Sequence, residues 1–175
     1  MILTGPEIMR QRTRGRITIN PFIPERINPN SYNYHLGNEL LEYEDGILDP
    51  AKEPKIKKRQ IGKHGFVLRP GKLYLGYTSE VIGSDYYVPI IKGRSSIGRL
   101  GLFIVITADL IDLGAVGCWT LQMHAVQPVK VYPGMQIGQM TFWRTMGKQT
   151  LYAGKYQGAT GPQETLAYKD MIREA

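Results

Sequence analysis

Apolar and polar residues alternate in short stretches along most of the chain. Arg16-Ile17-Thr18-Ile19, Phe66-Val67-Leu68 and Lys72-Leu73-Tyr74-Leu75 carry this period of two, which predicts strands. Pro70-Gly71 supplies a turn between the last two, and Tyr86 to Lys92 reads as a further strand. Leu102-Phe103-Ile104-Val105-Ile106-Thr107 is apolar on both faces, which predicts a central, fully covered strand. Trp119, Leu121 and Met123 alternate with Thr120, Gln122 and His124. A strand here sets Gln122 beside Thr120 and His124, on the face opposite the apolar set. Two more strands, Pro128 to Gly134 and Ile137 to Trp143, flank a turn.

The front of the chain differs. Thr4-Gly5-Pro6-Glu7 has the form of a capping box, Leu3 and Ile8 are spaced as a hydrophobic staple, and Gly15 is a stop, so a short helix is expected. Gly154 to Gly161 is polar and glycine-rich, which predicts a mobile loop, and Ala167 to Glu174 suits a last helical turn or two. Short strands at intervals of roughly ten residues argue for a barrel or sandwich. The 20 glycines and 11 prolines agree. With no repeat, low-complexity tract or composition break, residues 1–175 read as one all-β domain, with 152–175 as a tail.

Composition narrows the possibilities. At 175 residues and 42% hydrophobic, the chain is long enough for one well-buried domain. No apolar run reaches the ~18 residues a membrane span needs, and Met1 to Pro6 lacks a signal peptide's pattern. One cysteine, Cys118, excludes internal disulfides and fits a reducing compartment, so a cytoplasmic location is expected. The net charge of +7 invites a nucleic-acid reading. No helical basic stripe or aromatic-rich RNA-binding signature supports it, so no nucleic-acid polymer and no membrane partner is expected. Lys52 to Arg59 reads instead as a solvated loop or an edge strand, where lysines discourage sheet-to-sheet pairing.

The densest chemistry lies in Gly93-Arg94-Ser95-Ser96-Ile97-Gly98-Arg99-Leu100-Gly101. Arginine grips phosphate oxygens in a bidentate fashion, serine hydroxyls add donors, and glycine lets backbone approach a polyanion. Thr107-Ala108-Asp109-Leu110-Ile111-Asp112-Leu113-Gly114 follows, and then Gly117-Cys118-Trp119-Thr120-Leu121-Gln122. The tail adds Tyr152-Ala153-Gly154-Lys155-Tyr156-Gln157-Gly158-Ala159-Thr160-Gly161-Pro162-Gln163, and the front carries Asn28-Pro29-Asn30-Ser31-Tyr32-Asn33-Tyr34-His35-Leu36-Gly37. Together these segments resemble the dCTP deaminase branch of the trimeric dUTPase superfamily.

That resemblance implies a distorted β-barrel of the dUTPase-like (β-clip) kind, with a short N-terminal helix, assembled as a homotrimer with shared sites. It implies a nucleotide held by Arg94, Ser95, Ser96, Ile97, Gly98, Arg99, Asp112, Thr120, Leu121, Gln122, Tyr152, Lys155 and Ala159. In relatives the arginine-serine segment binds phosphates and its second arginine reaches a neighbour's site. The aspartate at Asp112 holds the sugar 3′-hydroxyl and in dUTPases orients the attacking water. The tail is a lid in which Lys155 would neutralise phosphate and Tyr152 would donate to it. Ala108 lies where backbone groups meet the base, and the reacting end comprises Ser95, Arg99, Ala108, Asp112 and Gln122. The front segment is structural, and His35 and His64 are without a functional role. The implied reaction is deamination of dCTP to dUTP and ammonia, metal-free at the base, with Mg²⁺ carried on the triphosphate. Zinc is not expected, because the Pro-Cys-x-x-Cys segment of zinc deaminases is missing.

Three positions depart from the family pattern. Where the deaminases have a proton-carrying glutamate, this chain has Gln122, whose amide hydrogen-bonds but does not shuttle protons. Ala115 replaces an aromatic residue beneath the deoxyribose, and Ala159 replaces an amide side chain near the ligand. Impaired deamination is therefore expected. A dUTP diphosphatase or bifunctional enzyme using Asp112, and a non-catalytic nucleotide-binding regulator, stand as alternatives. Asp109 is the carboxylate nearest Gln122 by sequence.

Overall fold

Helix α1 (Gly5–Thr13) starts after Thr4, whose backbone is extended, and carries Pro6 and Glu7 in its first turn. The capping box does not close. The Thr4 side chain makes no capping bond, and the Glu7 carboxylate instead accepts from the Gln11 amide at 2.5 Å and pairs with Arg10 at 2.6 Å. The staple does form, with Leu3 and Ile8 both buried. Gly15 at φ +70 ends the helix by turning its N–H back to the Arg12 carbonyl.

The computed structural model describes residues 1–174. After α1 come β1 (Thr18–Asn20), β2 (Ile27–Asn28), β3 (Ser31–His35), β4 (Glu39–Tyr43), β5 (Ile56–Gln60), β6 (Phe66–Leu68) and β7 (Leu73–Tyr77). Then follow β8 (Val81–Gly83), β9 (Tyr87–Gly93), the short helix α2 (Ser95–Gly98), β10 (Leu102–Phe103), β11 (Val116–Gly117) and β12 (Thr120–Ala125). The chain continues through β13 (Val129–Val131), β14 (Gln136–Arg144) and helix α3 (Tyr168–Glu174). The strands form four open sheets, in the orders β1-β8-β11, β10-β12-β7-β4-β5, β13-β6 and β2-β3-β14-β9. Every pairing is antiparallel.

All four sheets and α1 send side chains into one apolar core. Ile8, Ile19, Ile82, Tyr32, Leu40, Leu68, Leu121, Val131 and Phe142 meet there. Pro29-Asn30 joins β2 and β3 as a tight hairpin, but Pro70-Gly71 does not make one: it lies between β6 and β7, yet β6 pairs with β13 and β7 with β4 and β12. The sequence expectation of a buried central strand over 102–107 is overturned. Only Leu102–Phe103 pair, at the edge of the five-stranded sheet, and Phe103 and Ile106 are 55% and 52% exposed. One face packs on the core through Leu102 and Ile104, and the other lies open on this chain's surface. The basic run does form an edge strand, β5, with Lys58 and Arg59 paired to Glu39 and Glu42 of β4. Burial works to raise the Glu42 carboxyl, but Arg59 and Lys72 outweigh it and hold it below its ordinary value.

Two close contacts set the geometry near the arginine-serine segment. At the irregularity in β14, a Cβ on Gly138 would sit 2.0 Å from the Tyr34 hydroxyl. That hydroxyl donates to the Lys92 carbonyl at 3.0 Å, which ties β3 to the end of β9. Burial pushes the Tyr34 phenol far up. The front segment is structural: the Gly5 N–H bonds the Pro29 carbonyl, and the Asn28 amide donates to Ser31 and Asn33. His35 is buried against Glu80, whose other oxygen accepts from the His35 N–H at 3.0 Å and the Ser79 hydroxyl at 3.1 Å.

The segment 154–161 is irregular, as expected of a loop, and it is bonded to the body of the chain. Gly158 donates to the Val116 carbonyl at 3.0 Å, and Cys118 donates to the Ala159 carbonyl at 2.7 Å, so the tail is laid along β11 by main-chain bonds. Among the described residues no helix is long and apolar enough to cross a membrane. Leu121 is fully buried in the middle of β12. Replacing it with alanine removes buried methyl groups and leaves a cavity, so Leu121→Ala should lower the unfolding free energy by about 2–5 kcal/mol in urea denaturation.

Candidate functional site

Strand β12 presents the site because its alternation is strict. Leu121, Met123 and Ala125 point into the core, while Thr120, Gln122 and His124 are half-buried on the other face. Gln122 stands opposite Leu75 of β7 in the ladder. Thr120 and Gln122, Leu73 and Leu75 of β7, and Tyr43 of β4 line a cleft of about 580 Å³. Ile106, Thr107, Ala108, Cys118 and Trp119 form its sides, and Tyr156, Ala159, Gln163, Glu164 and Thr165 of the tail complete it.

The tail is pinned at each step over this cleft. The Gln157 amide accepts from the Val116 N–H and donates to the Gly114 carbonyl, both at 3.0 Å. The Gln163 N–H donates to the Thr120 hydroxyl at 3.0 Å, Thr165 to the Tyr43 hydroxyl at 3.0 Å, and Leu166 to the Tyr156 hydroxyl at 2.9 Å. Gly117 is required where the two segments touch, because a Cβ there would lie 2.9 Å from the Ala159 nitrogen. The Trp119 indole donates to the Ile82 carbonyl at 2.8 Å, which fixes its ring at the cleft wall. Burial pushes the Cys118 thiol up, with the Glu80 charge adding to it. Burial also raises the Tyr43 phenol, with Tyr156 and Glu164 adding to it against the Thr165 N–H bond.

Of the residues singled out in the sequence, Ala108, Thr120, Gln122 and Ala159 come together here. The others lie outside the lining. Leu121 faces the core and Ile97 anchors α2 to it, so neither side chain is available to a ligand. Arg94 donates to the Gln136 side chain on β14 at 2.7 Å, and Ser95, Ser96, Gly98 and Arg99 are exposed on or beside α2. Asp112 is exposed at a turn closed by the Ala115 N–H. The Tyr152 hydroxyl accepts from the Tyr156 N–H at 3.2 Å, and Lys155 donates to the Leu166 carbonyl at 3.0 Å and pairs with Asp170. Ala115 is buried in the main core. β9 leads into α2, which packs against β10 at the edge of the five-stranded sheet rather than over the cleft face of β12, and within one chain none of its residues lines the cavity.

Asp109 does not substitute for the missing glutamate. Its carboxylate pairs with Lys92, which holds it below its ordinary value, and it does not line the cleft. Sequence reasoning missed Tyr43, Trp119, Tyr156, Gln163 and Glu164 as lining residues. Tyr156 and Gln163 stand within the tail motif and could have been taken from it, whereas Tyr43 and Glu164 carry no local signal.

Comparison with known proteins agrees with this architecture. Residues 2–145 match the family model described as dCTP deaminase-like. A relative from Hathewaya histolytica, described as a dUMP-forming dCTP deaminase, is 49% identical over 171 residues, covering 97% of this chain and 99% of its own. A dCTP deaminase from Rhodopirellula baltica is 44% identical over 172 residues, 98% of this chain and 86% of its own. The crystal structure of 2′-deoxycytidine 5′-triphosphate deaminase from Agrobacterium tumefaciens shares the fold at a TM-score of 0.63 and 20% identity, over 81% of this chain and 47% of that one. By sequence over nearly its whole length, this chain belongs to the dCTP deaminase-like family.

Proposed function

We propose that the cleft beneath the tail takes the cytosine end of dCTP and that the chain deaminates it, with dUMP as the final nucleotide. The observation that carries this reading is the meeting of Gln122 and Ala108 in one cleft, on a floor of Leu73 and Leu75. Apolar walls suit a flat heterocycle, and a few polar groups suffice to orient it. Water adds to the ring carbon bearing the amino group, and ammonia departs to give dUTP. A second water then releases pyrophosphate and leaves dUMP, the product named for the curated Clostridium and Hathewaya relatives. The exposed carboxylate of Asp112 is the group suited to orient that second water.

Gln122 holds the base or the first water by hydrogen bonds but moves no proton, so ammonia release is slow. Loss of a general acid–base group costs about 10²–10⁴ in rate. The phosphates are completed by Arg94, Ser95, Ser96 and Arg99 of a neighbouring copy, in a homotrimer, with Mg²⁺ entering as part of the substrate, held by phosphate oxygens and water. Support for assembly comes from the open apolar surface around β10: Leu100, Phe103, Ile106, Leu110 and Val126 are 46%, 55%, 52%, 62% and 59% exposed. A single buried thiol suits the reducing cytoplasm.

A paired dCTP assay tests the first step. Gln122→Glu should raise ammonia release over the parent chain, by up to about 10²–10⁴-fold; equal inactivity of the two would remove the deaminase reading and leave nucleotide binding or hydrolysis. Asp112→Asn should abolish pyrophosphate release from dUTP. Sedimentation equilibrium should give the mass of three chains, and Phe103→Asp should shift it toward one.

A further inference from the structure

Gln122 leaves the cleft without a proton carrier on its strand, yet the cleft is not without a carboxylate. Glu164 lines it, the one Asp or Glu among the lining residues. Its position is fixed by its neighbours in the chain. Gln163 is bonded to the Thr120 hydroxyl, Thr165 to Tyr43 and Leu166 to Tyr156, so the backbone on both sides of residue 164 is held to the cleft wall. Thr120 is two residues from Gln122 on the same face of β12, about 7 Å along the strand. Glu164 is half-buried as a residue, and its carboxylate has no hydrogen-bond or ion-pair partner among the described residues. The other acidic groups of this region are committed or displaced: Asp109 to Lys92, Asp170 to Lys155, Glu80 to His35, and Asp112 outside the cleft.

We propose that Glu164, carried in on the closed tail, is the acid–base residue for the deamination this chain performs. The proposal rests on the dCTP reading above. The ionised carboxylate takes a proton from water as the water oxygen bonds to the amino-bearing carbon of cytosine, and that proton passes to the adjacent ring nitrogen. In the resulting adduct the new hydroxyl gives its proton to Glu164, which hands it to the amino nitrogen. The carbon–nitrogen bond breaks with its electron pair on nitrogen, ammonia leaves, the carbonyl forms, and the carboxylate is regenerated. Water and dCTP thus give dUTP and ammonia, with no other reactant. Gln122 acts beside it as a hydrogen-bonding group that positions water or base.

The test is single-turnover ammonia release from dCTP, with dCTP affinity measured by calorimetry, on the parent chain, Glu164→Gln and the double variant Gln122→Glu/Glu164→Gln. Glu164→Gln should slow release about 10²-fold at unchanged affinity. The double variant should recover at least the parent rate, because a carboxylate on β12 then does the work. Release undiminished in Glu164→Gln overturns the proposal. So does a double variant that stays inactive, since the loss would then come from a damaged lid. A parent chain that binds dCTP but releases no ammonia overturns the role of Glu164 and leaves the nucleotide site standing. One that does not bind dCTP sinks both.

Discussion

The hydrogen bonds between the tail and the stretch from Leu113 to Thr120 hold the site together. Without them, β12 and β7 would present a shallow apolar surface with Gln122 at one edge. With them, that surface becomes a cleft with a polar upper wall. Three of these bonds run main chain to main chain and depend only on the path of the chain, whereas two are made by the Gln157 side-chain amide and one ends on the Thr120 hydroxyl. Gly117 of β11 is required beside them, since any side chain there would hold the two segments apart. A lid fixed by several modest hydrogen bonds opens locally at far less cost than unfolding, as entry and exit of a ligand require.

The chemistry is divided between two sheets. The five-stranded sheet supplies the face that floors the cleft, and β9 of the four-stranded sheet leads into the arginine and serine groups of α2. Tyr34 and Gly138 lock β3, β14 and the end of β9 in register, so α2 leaves the sheet at a fixed point. Arg94 is already aligned by Gln136. A cationic group held in place before an anion arrives loses less freedom on binding than one recruited from solvent.

The face assignment of Thr120, Gln122 and His124 was legible because strand alternation is a property of the backbone and needs no knowledge of partners. The start and stop of α1 were legible for a similar reason, although the Thr4 side chain makes no capping bond and Glu7 turns to Gln11 and Arg10 instead. Pairing was not legible. Pro70-Gly71 and Pro133-Gly134 mark turns, but the strands they join go to different sheets, and that choice is made by packing over long sequence distances. The stretch 102–107 misled because apolarity on two faces reads alike whether the second face meets the same chain or lies open. Glu164 was illegible because its neighbours Gln163 and Thr165 bring it to the cleft through bonds to Thr120 and Tyr43, both far from it in sequence.

The latches made by Tyr43 and Tyr156 have a chemical consequence. Each phenol spends a lone pair on a main-chain N–H and keeps its own O–H hydrogen unspent among the described residues. Fastening the lid therefore uses acceptors and leaves two weakly acidic donors on the cleft wall. An occupant with a carbonyl oxygen or a developing oxyanion finds hydrogens waiting there, while one that brings only N–H groups finds those lone pairs partly taken. Fastening the tail and offering two hydroxyl donors to the cleft thus fall to the same pair of rings.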